Sequence, residues 1–89
     1  MALTRLGSIV ATPAAMRFLE RANTSPMTLI TRHASGDWGD LCKEDVQANE
    51  NAIAYGGRIF SVYKIGDEKL YCITEADHSS TCLLLACEY

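Results

Sequence analysis

The chain has 89 residues and a mass of 9.8 kDa, which is the size of one small domain and excludes a multidomain enzyme. Hydrophobic residues make up 48% and charged residues 21% of the sequence, a balance that is typical of a globular protein and excludes a disordered one. The net charge of −3 excludes the basic surplus of a generic nucleic-acid binder, so we expect no direct binding of nucleic acid.

The N-terminal third predicts two short helices after an extended segment. Leu6–Ala11 is apolar and β-branched at its centre, which predicts a short strand or an extended lead-in. Thr12 and Ser25 are each followed by proline, the combination of an N-cap with Pro at the first helical position. Apolar residues at helical spacing follow both signals, and Asn23 and Gly36 mark the predicted ends.

A sharp turn and a third helix come next. Glycines flank the Asp37-Trp38 pair on both sides, which is typical of a tight turn. Asp40 is then in place to cap a helix over Leu41–Tyr55, and the glycine pair that starts at Gly56 ends that helix.

The last third changes to the period of a β-strand. Arg58–Lys64 and Lys69–Glu75 alternate around a turn at Gly66 and predict a hairpin, with residues 58–64 opposite residues 69–75. Thr81–Ala86 predicts a third strand, apolar on both faces, whose edge offers pairing with another chain. Helices followed by a meander predict a single α+β domain over residues 1–89. We expect two or three helices packed on a small antiparallel sheet of three strands, or four if the first segment pairs.

The cysteines and the apolar runs indicate in which cellular compartment the protein is expected. Cys42, Cys72, Cys82 and Cys87 contain no Cys-x-x-Cys pair, so neither zinc nor any other cofactor is predicted. We expect reduced thiols that pack as small, buried apolar groups. The longest apolar run, Cys82–Cys87, is far shorter than the ~20 residues of a membrane span, and we expect a cytoplasmic protein without membrane contact.

Two polar clusters contain the residue types of a reactive site. Asp77–Ser80 holds Asp, His and Ser, but neighbouring side chains in a loop point apart and triads are assembled from distant residues, so we expect a polar turn. A metal site would need His33, Asp37, Asp40 and Asp45 together. Because the second helix ends between the first two, we expect no metal and place His33 near the last helical carbonyls.

The turn around Trp38 is the predicted binding surface. Trp38 either anchors a partner from an exposed position or folds back onto the core, with Asp37 holding the turn through backbone amides. The acidic face of the third helix favours an encounter with a basic partner. The predicted surface consists of Asp37, Trp38, Asp40, Glu44 and Arg58.

The predicted hairpin offers a second surface. Phe60 and Val62 share one face, whereas Ile59, Ser61 and Tyr63 share the other. One set must face the helices, and the other is then a binding surface or a dimer sheet. Arg58 itself is expected to pair across the hairpin with Glu75 or Asp77 rather than to bind a substrate.

Several short blocks of the sequence form a recognisable set: HASGDWGDLCKED (His33–Asp45), Asn49–Ala52, GGRIFSVY (Gly56–Tyr63), ITEAD (Ile73–Asp77), Ser79–Thr81 and the final Glu88-Tyr89. Together they resemble a family of small bacterial proteins carried on plasmids and other mobile elements. The resemblance extends from about Val10 to Tyr89 and implies a setting rather than an activity.

The order of elements is also similar to that of bacterial ribonuclease toxins of the RelE and BrnT kind, which grip RNA with basic and aromatic residues on a small sheet. That similarity implies roles for Arg58, Tyr63, Lys64, His78 and Tyr89. The acidic charge balance argues against it, because an RNA-directed nuclease presents a basic face.

No motif in the sequence gathers a nucleophile, a base and a stabilising group, so we assign no catalytic residue. We expect a non-enzymatic protein-binding module of a mobile element, of the anti-defence or regulatory inhibitor type. The alternatives are a small ribonuclease toxin, with Arg58, Tyr63, His78 and Tyr89 as its catalytic set, and a homodimeric accessory domain.

Overall fold

The structure, a computed structural model, describes residues 5–89 as three helices and one four-stranded sheet. No helix in that part of the chain combines the length and apolarity needed to cross a bilayer. The elements in chain order are β1 (Ser8–Ala11), α1 (Pro13–Arg21), α2 (Pro26–Ala34), α3 (Lys43–Tyr55), β2 (Ile59–Ile65), β3 (Glu68–Thr74), β4 (Ser80–Leu85) and a 3₁₀ turn (Ala86–Glu88).

The sheet confirms the predicted α+β class and corrects its topology. The strand order is β1-β4-β3-β2, with β2, β3 and β4 antiparallel as predicted and β1 parallel to β4. The hairpin register is also confirmed, because Ile59 lies opposite Thr74. The predicted free edge on the last strand is wrong. β1 covers it through bonds such as Ser8 N–H to the Ser79 carbonyl, and a strand that is apolar on both faces belongs in the interior of a sheet.

The helix starts follow the capping signals in two cases of three. Thr12 caps α1, because its hydroxyl accepts a hydrogen bond from the Ala15 amide at 3.1 Å. The predicted cap at Asp40 is wrong, since α3 starts at Lys43 with Cys42 in the N-cap position. The Asp40 amide instead donates to the Val62 carbonyl at 2.8 Å, so this residue lies along the edge of β2 and cannot begin a helix.

The core lies between the helices and one face of the sheet. Of the two faces of β2, the one that carries Ile59, Ser61 and Tyr63 points at the helices. A second, smaller cluster joins Trp38 to Ala52 and Ile59. The main cluster contains Ala15, Leu19, Leu29, Ile30, Tyr63, Leu70, Cys72 and Leu83.

A chain of polar side chains crosses this apolar core. Thr81 Oγ1 donates to the Leu6 carbonyl at 2.7 Å and therefore accepts from Thr74 Oγ1 at 2.8 Å. Thr74 Oγ1 in turn accepts from His33 Nε2 at 2.9 Å. Because a hydroxyl has a single proton, the His33 ring must carry its proton on Nε2, and its Nδ1 accepts from Ser61. We call this the His33 chain.

We expect the Leu83→Ala variant to lose about 2–5 kcal/mol of unfolding free energy, because Leu83 is fully buried and its truncation leaves a cavity. Leu84 is the matched control, since it follows on the same strand but points to the other, half-exposed face. Leu84→Ala is expected to cost about 1 kcal/mol or less. Urea denaturation of both variants measures the difference, and equal losses would contradict the assignment of the two faces.

We expect His33 to make the fold sensitive to acid. Burial lowers the pKa of His33 from 6.5 to about 4, so the unfolded chain binds the extra proton first as the pH falls through this window. The stability that depends on a neutral His33 is fully present above pH 6.5 and is lost by pH 4. This loss amounts to about 3 kcal/mol of unfolding free energy.

The control for this prediction is His33→Gln, whose amide donates and accepts but does not titrate. Urea denaturation at a series of pH values measures the unfolding free energy. We expect it to fall between pH 6.5 and pH 4 by about 3 kcal/mol more in the wild type and in His78→Gln than in His33→Gln. An NMR titration of the His33 ring in the wild type gives the same answer without a variant. A ring that titrates at its ordinary pKa would contradict the prediction.

Candidate functional site

The side of the sheet that faces away from the helices carries a continuous apolar surface, which we call the open face. Its side chains alternate with those of the core along every strand. Most of them are half-buried, Ile73 is buried beneath its neighbours, and Val10 remains 48% exposed at one end. The open face consists of Val10, Phe60, Val62, Tyr71, Ile73, Cys82 and Leu84.

Three aromatic rings meet on the open face. Phe60 and Tyr71 make an edge contact with ring centroids 4.8 Å apart, and the ring of Tyr89 lies 5.6 Å from Tyr71 and 6.3 Å from Phe60. Tyr89 itself is 69% exposed. Edge contacts of this kind are favourable arrangements of aromatic rings, and the cluster presents aromatic surface to solvent, chiefly through Tyr89.

The carboxylate of Glu88 holds Tyr89 over the sheet. Glu88 Oε1 accepts from the Thr12 hydroxyl at 2.7 Å and from the Leu85 amide at 2.9 Å. These bonds, with that of Thr12 first, hold the pKa of the Glu88 carboxyl below its usual range. The bonds fold the 3₁₀ turn back, so that its last residue reaches the aromatic cluster.

A groove opens between α3 and the open face. It has a volume of about 230 Å³ and is lined by Asp45, Arg58, Phe60, Ile73 and Tyr89. The walls combine two aromatic rings with one carboxylate and one guanidinium group. Such a groove accepts a single large apolar side chain and offers both signs of charge at its rim.

Charge is distributed unevenly along the open face. At one end, Arg58 Nε lies 3.8 Å from a Glu75 carboxylate oxygen, which confirms the predicted pair across the hairpin. At the hairpin end, Lys64 lies directly opposite Lys69, and both side chains point to the open face. Like charges in this position repel each other, so the open face carries two adjacent positive side chains near the hairpin turn.

In the predicted surface at the Trp38 turn, the tryptophan is buried and is not an exposed anchor. Trp38 is only 8% exposed, and its ring meets the edge of His33 at 5.8 Å. Asp37 accepts from Arg32 at 2.6 Å and from the Gly39 amide at 3.1 Å, so it holds the turn as predicted. The tryptophan therefore pins this turn onto the core.

The other residues of that predicted surface do not form one patch with Trp38. Asp40 and Glu44 are exposed beside the turn and along α3. Arg58 lies instead at the start of β2, where it lines the groove. Of the five predicted residues, only Arg58 reaches the open face.

The structure does not bring together the alternative catalytic set. Tyr63 is buried on the core face, where its hydroxyl donates to the Asp37 carbonyl at 2.7 Å, and burial raises its pKa. His78 lies in the turn before β4 and bonds to the Arg5 carbonyl through Nδ1. Arg58 and Tyr89 line the same groove, so two of the four residues are close to each other.

Cysteine, histidine and acidic side chains are the residue types that ligate metal ions. Within residues 5–89, no group of three or more His, Cys, Asp or Glu side chains is close enough to hold a metal ion. Cys72 is buried as predicted, and burial raises the pKa of its thiol to about 12. Cys42 and Cys87 are exposed, so the expectation of buried thiols is wrong for these two.

One nucleophile-and-base pair was missed by the sequence analysis. His33 and Ser61 are bonded side chain to side chain, 28 residues apart. Both are fully buried, so a substrate has no access to the serine, and the pair is part of the core. No spacing in the sequence points to it, because the two residues meet only through the packing of α2 on β2.

No protein-family model, no curated protein and no solved structure matches the chain. Within residues 5–89, the open face combines partly exposed aromatic rings, a groove and uneven charge. These features can bind a macromolecule, and they make the open face the candidate functional site.

We expect Glu88→Ala to release Tyr89 from the aromatic cluster, because it removes the acceptor for both Thr12 and the Leu85 amide. The ring protons of Tyr71 should then lose the part of their ring-current shift that Tyr89 causes, while the part caused by Phe60 remains. Glu44→Ala, an exposed change on α3, is the control and should leave these signals unchanged. Unaltered Tyr71 signals in Glu88→Ala would contradict the assigned role of Glu88.

Proposed function

We propose that the chain is a non-enzymatic protein-binding module that engages its partner through the open face. The single observation that carries the proposal is the cluster of Phe60, Tyr71 and Tyr89 on the side of the sheet opposite the helices. Aromatic residues, tyrosine among them, are enriched among the residues that contribute most energy at protein interfaces. Binding there removes apolar surface from water, which stabilises a complex without any catalytic group.

The shape and charge of the open face define the partner's contact segment. The groove beside Tyr89 receives one large apolar side chain of the partner. A carboxylate of the partner at the hairpin end reduces the repulsion between the facing ammonium groups of Lys64 and Lys69. The proposed contact segment is therefore apolar at its centre and acidic at one end.

The proposed setting is a mobile genetic element in a bacterial cytoplasm, where a small protein of this kind acts as a regulatory or anti-defence inhibitor. This setting is supported by the resemblance to plasmid-carried proteins. The separation of Tyr63 and His78 from Arg58 and Tyr89 favours a binding protein over a ribonuclease toxin.

We expect Tyr71→Ala to abolish capture of the partner from a bacterial lysate on immobilised protein. Tyr71 lies at the centre of the open face, and loss of such an anchor costs ~2 kcal/mol or more, about thirtyfold in affinity. Tyr55→Ala is the matched control, because Tyr55 is 87% exposed at the end of α3. A protein retained by the wild type and by Tyr55→Ala, but not by Tyr71→Ala, is the candidate partner. The proposal is supported when calorimetry with this purified partner gives similar affinities for the wild type and Tyr55→Ala and a much lower affinity for Tyr71→Ala.

A second arm tests the charge of the partner. Lys64→Glu should weaken binding and remove its salt dependence, because the new carboxylate neutralises the facing Lys69 and repels the partner's acidic end. Equal capture by the wild type and Tyr71→Ala would contradict the open face as the binding surface. Cleavage of RNA by the purified wild type, lost in Arg58→Ala, would favour the ribonuclease alternative instead.

A further inference from the structure

The edge formed by β1 is open to a further strand. In the parallel pair with β4, the Ser8 and Thr12 amides point to β4 and bond to the Ser79 and Leu83 carbonyls at 3.0 Å. Backbone groups alternate along a strand, so the N–H and C=O groups of Ile9 and Ala11 point away from the sheet. An extended backbone with unpaired donors and acceptors is a template for another strand.

The two edges of the sheet are treated differently. The β2 edge is covered by the segment around Gly39, where Val62 exchanges hydrogen bonds with the Trp38 carbonyl and the Asp40 amide. β1 has no such cover within residues 5–89, and it carries neither charge nor proline. Ile9 and Val10 remain 46% and 48% exposed. Charge, proline and covering segments are the usual means of blocking an edge, and in residues 5–89 none of them blocks β1.

We propose that two copies of the chain pair through β1 in antiparallel fashion, about a two-fold axis that passes between Val10 and Val10 of the second copy. This register sets Ile9 opposite Ala11 of the other copy, and Ala11 opposite its Ile9. Each of these two pairs can exchange both N–H···O bonds, because all four residues present their backbone groups at the edge. A register centred on Ile9 would bring Gly7, with its positive φ of 68°, opposite Ala11 and lose the outer bonds.

The edge fits a second copy better than it fits a foreign strand. The same short segment supplies both halves of the ladder, which is the self-complementarity that a two-fold interface requires. The segment also lets two copies of net charge −3 meet without placing like charges opposite each other across the axis. A pair of four-residue strands buries less surface than the ~1,600 Å² of a stable complex, so the dimer forms reversibly with concentration.

Pairing in this register joins the two open faces. Val10 is in line with Cys82, Ile73 and Phe60 across one protomer. The two-fold axis places Val10 of the second copy next in that row, on the same side of an eight-stranded sheet. The dimer thus has two aromatic clusters on one continuous surface, and this assembly does not depend on the proposed function.

A cysteine at the axis tests the register. In the non-hydrogen-bonded pair at the axis, the Cα atoms are ~4.5 Å apart, within disulfide range. Val10→Cys should therefore give a disulfide-linked dimer with oxidised glutathione. Ile9→Cys, one residue away, should not, because its counterpart lies opposite Ala11. Both changes are made after replacing Cys42, Cys82 and Cys87 with alanine, since Cys82 adjoins Val10 on β4.

Sedimentation of the wild type should show a monomer that converts to a dimer over about a hundredfold range of concentration. Ile9→Lys, which adds a charge at the edge without touching the bonds to β4, should remain a monomer. A monomer at every concentration, with no linked dimer from Val10→Cys, would overturn the proposal and leave the edge to a strand of another protein. Efficient linkage of Ile9→Cys instead would overturn the register.

Discussion

The hydrogen-bonded chain through His33 is the constraint on which the rest of the structure depends. It joins α2 to β2 through Ser61 and to β3 through Thr74, and then reaches β4 and the Leu6 carbonyl through Thr81. Each buried polar atom along it has a partner, and leaving one unpaired would cost ~1–3 kcal/mol. The His33 chain of hydrogen bonds therefore fixes the position of the helices on the sheet more precisely than apolar packing alone would.

This constraint explains why the inner face of the sheet holds hydroxyl groups among its apolar core residues. Ser61, Thr74 and Thr81 are buried there within the hydrogen-bonded chain that starts at His33. The outer face carries Phe60, Val62 and Tyr71, which are only half-buried. Partly exposed apolar surface of this kind is typical of interaction sites in small proteins.

Features of the fold that depend on neighbouring residues could be predicted from the sequence. Features that depend on contacts between distant residues could not. Alternation in 58–75 and the Thr12 cap lie within a few residues of each other, so the hairpin register and the start of α1 were predictable. Alternation cannot say which face is buried, because the answer depends on His33, 28 residues before Ser61. The parallel pairing of β1 and the position of Tyr89 beside Tyr71 likewise depend on contacts across the whole chain.

The Thr12 hydroxyl joins the two ends of the described chain, since it accepts from Ala15 at the start of α1 and donates to Glu88, 76 residues later. Thr12 directly follows β1, and Glu88 follows β4, so this bond requires β1 to be paired with β4. Tyr89 is therefore held in its place only in a chain in which β1 has joined β4. A partner that recognises the completed aromatic cluster would thus distinguish the finished molecule from its partly folded precursors.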